Sequence, residues 1–139
     1  CLIISVGFAP TILSISTSLE TALKYKENNM SNALAVTDAT FQDEVINSDK
    51  PVVVDFWATW CPPCRQMAPV VDEAAKQLED VKFVKVDVDA NPLSAAKYGV
   101  RSIPAFLVFR DGEVRHEFVG SRPKANFVEE VQKAAFPNA

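Results

Sequence analysis

Six residues, Val52-Val53-Val54-Asp55-Phe56-Trp57, constrain this chain more than any others. They are β-branched or aromatic, and every position except Asp55 is apolar. A strand without a polar face must be covered on both sides, which puts it in the middle of a sheet flanked by helices. Asp55 then becomes informative. A carboxylate inside such a strand is disfavoured unless it is paired or protonated. Its position within an apolar run points to a buried acid with a task rather than to a strand-end residue.

Three residues further on comes Trp60-Cys61-Pro62-Pro63-Cys64. Prolines are tolerated in the first turn of a helix, where the missing N–H has no partner to lose. Met67, Val70, Val71, Ala74, Ala75 and Leu78 then recur at helical spacing, with Pro69 expected to kink the helix rather than end it. The cysteines therefore stand where a strand hands over to a helix. The unpaired N–H groups and dipole there stabilise a thiolate. The chain has 3 cysteines, the third being Cys1. A pair separated by two residues cannot staple distant parts of a fold, so it reads as reactive. A zinc site takes about four ligands. Only Cys1 and His116 remain as further soft ligands, so no metal is expected. Trp57 is expected in the core, Trp60 exposed beside the thiols, and His116 simply exposed.

The rest of the chain supplies partners for the central strand. Leu34 to Thr37 is a short apolar run for a first strand. Thr37 or Asp38 is expected to cap a helix that buries Phe41, Val45 and Ile46. Val81 to Val88 alternates as a strand, and Asp89-Ala90-Asn91-Pro92 turns into a short helix ending at Gly99. Ala105 to Phe109 and Glu113 to Val119 form a hairpin about Asp111-Gly112. Pro123 opens a last helix burying Phe127, Val128, Val131 and Ala135. The order β-α-β-α-β-α-β-β-α predicts an α/β fold: a central mixed sheet of about five strands flanked by about four helices.

The 139 residues suit one compact domain plus some extra chain, and a formal net charge of -4 gives no electrostatic reason to expect nucleic acid as a partner. The extra chain is residues 1–29, apolar from Leu2 to Ile15 and polar from Ser16 to Asn29. It is expected to be an upstream translation or fragment artefact, or else a targeting signal or anchor, including a lipid on Cys1. Met30 opens the domain-like sequence at 30–139, for which no membrane association is expected.

From Leu34 to Ala135, about three quarters of the chain, the sequence resembles the thioredoxin family. The resemblance is carried by Val54-Asp55-Phe56-Trp57-Ala58, by the Trp-Cys-x-Pro-Cys run at 60–64, and by Pro69. It continues through Val86-Asp87-Val88-Asp89-Ala90-Asn91-Pro92, Lys97-Tyr98-Gly99-Val100-Arg101, Ile103-Pro104, Asp111-Gly112-Glu113 and Val119-Gly120. It implies a thioredoxin fold and a protein-disulfide reductase working by dithiol–disulfide exchange. Carried over by position, Cys61 is the nucleophile and Cys64 the resolving thiol, the two forming the redox disulfide. Asp55 matches the family's buried acid and Lys85 the lysine near it, both counted as catalytic. Trp60, Pro62, Pro63, Ile103, Pro104 and Gly120 match the substrate-docking surface, with the Ile103-Pro104 bond implied to be cis. Pro62 stands where the commonest motif has glycine, and Ser102 where glycine is common before Ile-Pro. Pro62 removes an N–H and stiffens the turn, which leaves open the size and sign of its effect on the thiolate.

The resemblance also implies no bound cofactor, protein disulfides as substrates, a monomer, and recharging by a separate thioredoxin reductase. The absence of a Rossmann glycine fingerprint agrees with the separate reductase. A cytoplasmic location is expected, or an exported or anchored one if residues 1–29 are a targeting segment. Two other functions stay open from the sequence. One is an exported reductase of narrow purpose, such as cytochrome c maturation. The other is a binding module that uses the surface around Trp60 and Ile103 without redox turnover.

Overall fold

The structure is a computed structural model and describes residues 32–137. The expected extension at 1–29, with Cys1 and Met30, lies outside the described residues. Five strands and four helical segments alternate as β1 (Leu34–Ala35), α1 (Gln42–Ile46), β2 (Val52–Trp57), α2 (Pro62–Gln77), β3 (Lys82–Asp87), α3 (Pro92–Lys97), β4 (Ala105–Arg110), β5 (Glu113–Val119) and α4 (Lys124–Ala135). The strands form a mixed sheet in the order β1-β3-β2-β4-β5. The β1–β3 and β3–β2 pairs are parallel, and the β2–β4 and β4–β5 pairs antiparallel. The apolar strand β2 is central, as its composition requires.

Alternate residues of β2 feed two cores. Val53 packs with Met67, Val71 and Ala74 of α2 and with Phe127 and Val131 of α4. Val52, Val54 and Phe56 pack with Phe41 just before α1, Val45 of α1 and Ala95 of α3. Asp55 shares the α2/α4 face with Val53, because side chains of a strand alternate. Both sheet edges are short or charged: β1 has two residues, and β5 exposes Glu113, Arg115, His116 and Glu117. His116 is nevertheless engaged, with Nε2 3.5 Å from Glu130 Oε2 on α4. The β4–β5 turn carries positive φ at both Asp111 (55°) and Gly112 (78°), the geometry that an Asp-Gly pair accommodates.

One local expectation is corrected. Neither Thr37 nor Asp38 caps α1, a single π-helical turn whose N-cap, Phe41, makes no side-chain cap bond. Thr37 and Thr40 instead satisfy each other, the Thr37 N–H donating to Thr40 Oγ1 at 2.9 Å. Asp38 caps α3, more than fifty residues away: its carboxylate accepts from the Leu93 N–H (3.2 Å), the Ser94 N–H (2.8 Å) and the Ser94 hydroxyl (2.7 Å). In return Asn91 Oδ1 accepts from the Asp38 N–H at 3.0 Å. Asn91, at the N-cap position of α3, makes no side-chain cap bond of its own, so a distant carboxylate satisfies those orphan donors. Among the described residues, no helix is long and apolar enough to cross a membrane.

Candidate active site

The C-terminal ends of β2 and β3, the N-terminus of α2 and the loop before β4 meet at Cys61. Cys61 is the N-cap of α2 with extended backbone, φ -95° and ψ 105°. Its Sγ accepts the Cys64 N–H at 3.2 Å, and its carbonyl accepts the Arg65 N–H at 3.2 Å. Pro62 and Pro63 occupy the two positions between and have no N–H to give. The four amides that a helix start ordinarily leaves unpaired are thus accounted for: residues 62 and 63 are prolines, the Cys64 N–H goes to Cys61 Sγ, and the Cys61 N–H donates to the Ala58 carbonyl at 3.3 Å, while the Arg65 bond is the first of the helix ladder. Cys61 and Cys64 are joined as a disulfide with their Cα atoms 5.3 Å apart, a separation the bond accommodates. The sulfurs are sheltered, the two residues being 2% and 3% exposed, and pack with Ala58, Trp57, Val88 and Ile103.

Cys64 faces inward with Met67 and Val71, the periodicity of α2 placing all three on its buried side. Asp55 lies on the sheet face that this helix covers. It is only 7% exposed, and its Oδ1 has no hydrogen-bond partner. Desolvation pushes its carboxyl up to about 7, and the positive charge of Lys85 pulls in the opposite direction. Lys85 is the direct cross-strand neighbour of Asp55 in the β2–β3 pair. It is half-buried, with its Nζ 5.9 Å from the centroid of the Trp57 ring. Trp57 is half-buried against the cysteines rather than fully in the core.

The expected docking residues gather around this pair. Trp60 is 63% exposed, and Pro62 and Pro63 are exposed beside it. The Ile103-Pro104 peptide bond is cis, and the Ile103 carbonyl oxygen lies 3.8 Å from Cys61 Sγ. Ile103 is half-buried and Pro104 buried, so the backbone before the proline is what the loop presents. The Gly120 N–H donates to the Pro104 carbonyl at 2.9 Å, joining the loop before β4 to the segment after β5. Gly120 has φ 97° with open space where a Cβ would stand, so glycine is required there by conformation and not by crowding.

Two contributors were not singled out from the sequence. Asp89 Oδ2 accepts the indole N–H of Trp60 at 2.8 Å, and Asp87 Oδ1 holds the Asp89 N–H at 3.0 Å. The signal available was the Asp-x-Asp pair at the end of β3, next to the end of β2 in the parallel register. Arg65, directly after Cys64, donates from Nη1 to the Thr59 carbonyl at 3.0 Å and braces the turn that carries Trp60. Nothing in the local pattern announces that bond. Among the described residues, no group of three or more His, Cys, Asp or Glu side chains is placed to hold a metal.

The arrangement can accept and return a pair of electrons at two sulfurs, with a proton-holding group behind them and a backbone edge in front. The comparisons with known proteins agree with it. The thioredoxin family model matches residues 32–133. The chain is similar to thioredoxin 1 of Synechococcus elongatus, 54% identical over 105 residues, covering 75% of this chain and 98% of that protein. The thioredoxin of Pyropia yezoensis is 50% identical over 99 residues, covering 70% and 92%. That of Rickettsia typhi is 44% identical over 100 residues, covering 71% and 95%.

Proposed function

The chain belongs to the thioredoxin family and is a thiol-disulfide oxidoreductase that reduces protein disulfides; from that premise we propose how its own residues divide the work. Cys61, as a thiolate, attacks one sulfur of a substrate disulfide. A Cys61–substrate bond forms, the substrate's own S–S bond breaks, and the departing sulfur takes up a proton. Cys64, as a thiolate, then attacks Sγ of Cys61. The mixed disulfide breaks, the second substrate sulfur leaves and is protonated, and the Cys61–Cys64 bond closes. Two electrons have passed to the substrate.

The order of attack is supported by placement: Cys61 Sγ adjoins the Ile103 carbonyl at the surface loop, whereas Cys64 faces the interior with Met67. Asp55 takes the proton of Cys64 as it becomes a nucleophile, and the support is its burial on the same face with a carboxyl that titrates at about 7. Lys85 tempers that acid from the neighbouring strand. Trp60, Pro62, Pro63, Ile103, Pro104 and Gly120 form the docking surface. An extended substrate segment pairs there with the backbone of Ile103, a form of strand addition.

Recharging falls to a thioredoxin reductase, the protein works as a monomer, and its compartment is the cytoplasm. The support for the last is chemical: a dithiol that must be re-reduced after every turnover belongs where thiols are kept reduced. A purely binding module is not supported, because both sulfurs are present and bonded to each other at the docking surface. The bonded pair at the start of α2, facing Ile103-Pro104, is the observation that carries the reading. Its test is a pair of substitutions. Cys61→Ser abolishes reduction of a protein disulfide with folding intact. Cys64→Ser accumulates a mixed disulfide, seen as a mass increase equal to the substrate. Turnover unchanged in Cys61→Ser refutes the assignment.

A further inference from the structure

Arg122 has no part in the reaction just described, yet several contacts tie it down. It lies two positions beyond Gly120 in the segment between β5 and α4. Its backbone N–H points at Met67 Sδ, 3.5 Å away on the buried side of α2. Guanidinium Nη1 donates to Glu130 Oε2 of α4 at 2.7 Å, and Nη2 donates to the Val119 carbonyl at 3.4 Å. The guanidinium carbon stands 4.5 Å from the centroid of the Phe118 ring. The side chain is 24% exposed, so these contacts are partly sheltered from solvent. A planar fork with several fixed donors can hold a carboxylate and a carbonyl together while lying flat on a ring; a lysine ammonium is a single point charge and cannot.

One of these contacts reaches the Val119 carbonyl, directly before Gly120. Val119 is 44% exposed, and Gly120 is bonded to the carbonyl of Pro104. The backbone on the far side of the docking cleft is therefore held from behind by a residue whose side chain bridges α4 and β5 and whose backbone N–H meets α2. We propose that Arg122 is a positioning residue for protein substrates: by fixing Val119 and Gly120 it sets the edge against which an extended segment lies beside Ile103-Pro104. This rests on the reading of Trp60, Ile103 and Gly120 as the docking surface. The contacts of Arg122 run to Met67, Glu130, Val119 and Phe118, away from the sulfurs. Its loss should therefore weaken association of a chain and spare the exchange step.

Single-turnover kinetics with pre-reduced protein separate the two. Insulin serves as the protein disulfide and 5,5′-dithiobis(2-nitrobenzoate) as a small one that needs no docking edge. Arg122→Met keeps the stem over Phe118 and removes the fork. It should raise the half-saturating insulin concentration about five-fold, roughly the loss of one modest hydrogen-bonded contact. The limiting rate, and the rate with the small disulfide, should each change by less than about two-fold, well short of the tenfold that 1.4 kcal/mol represents. Glu130→Ala, which removes the anchor on α4, should move the same quantity in the same direction, and it keeps the test valid if Arg122→Met fails to fold. Arg122→Lys should recover less than half of the effect. Full recovery by lysine would mean that bare charge suffices and would overturn the proposal. So would an equal slowing with the small disulfide, or unchanged half-saturation in both Arg122→Met and Glu130→Ala. Trp60→Ala is the control. If it raises half-saturation while the Arg122 and Glu130 variants do not, the positioning role falls alone. If none of the three does, the docking surface falls with it.

Discussion

Replacing Asp55 with asparagine should stabilise the oxidised protein, and by an amount that grows with pH. The carboxyl has its ordinary value of 3.8 when the chain is unfolded and about 7 in the fold, because burial penalises the ionised form. Below 3.8 both states are protonated and the acid carries no electrostatic penalty. Between the two values the folded protein retains a proton that the unfolded chain has released, so stability falls as pH rises. Above about 7 the folded carboxylate is ionised in its apolar site and the penalty is complete. At 1.36 kcal/mol per pK unit, the full penalty is at most about 4 kcal/mol. Water entering the site after ionisation recovers part of it. Any fixed difference between an amide and a carboxylic acid is independent of pH, so the slope is the diagnostic quantity. From pH 5 to pH 8 the advantage of Asp55→Asn should grow by roughly 2–3 kcal/mol. Urea unfolding followed by the fluorescence of Trp57 and Trp60 measures it directly. A stability difference that is flat across this range, or one that shrinks as pH rises, would refute the reasoning.

Three further outcomes follow from the same geometry. Lys85→Met removes the charge that opposes burial, so the Asp55 titration should move to higher pH, as read from its side-chain carboxyl carbon by NMR; a downward move contradicts the assignment. Pro62→Gly should alter the reduction potential by less than the roughly 30 mV that a tenfold change represents. An N-cap side chain accepts from the second or third helical N–H, here that of Cys64, and residue 62 occupies the first position. Equilibration against glutathione checks this, and a larger shift would show that the first amide does reach the sulfur. Asp38→Ala should lower stability by about 1–2 kcal/mol through loss of the α3 cap. If the urea midpoint does not change, the two backbone bonds to Asp38 contribute nothing to the fold.

What could be inferred from residues alone follows a physical division. Strand β2, the hairpin at Asp111-Gly112 and the buried stripe of α4 are encoded by neighbours in sequence, through periodicity and turn chemistry. The structure has them with ends shifted by a residue or so. Cys61, Cys64 and Asp55 were visible because reactive groups in unusual settings stand out locally. Asp38 was assigned to the wrong helix because a capping carboxylate looks the same whether its helix is adjacent or comes much later in the chain. Asp89 and Arg122 were missed for the same reason. Asp89 acts through Trp60, and Arg122 through Glu130, Phe118 and Val119, sets of partners assembled only by the folded chain. Neither sits in a pattern that a single strand or helix would display.

The borders of the sheet bear on how the protein can be used. On the reading proposed above, the protein receives extended segments of its substrates and must not pair with copies of itself. The two-residue β1 offers almost no ladder to a newcomer, and β5 presents like and unlike charges at successive positions along its exposed length. Such borders discourage self-association. The docking surface proposed above lies instead at the end of the sheet, at Ile103, whose carbonyl oxygen is 3.8 Å from Cys61 Sγ. The same short and charged borders leave a second copy of the sheet little to pair with, edge to edge.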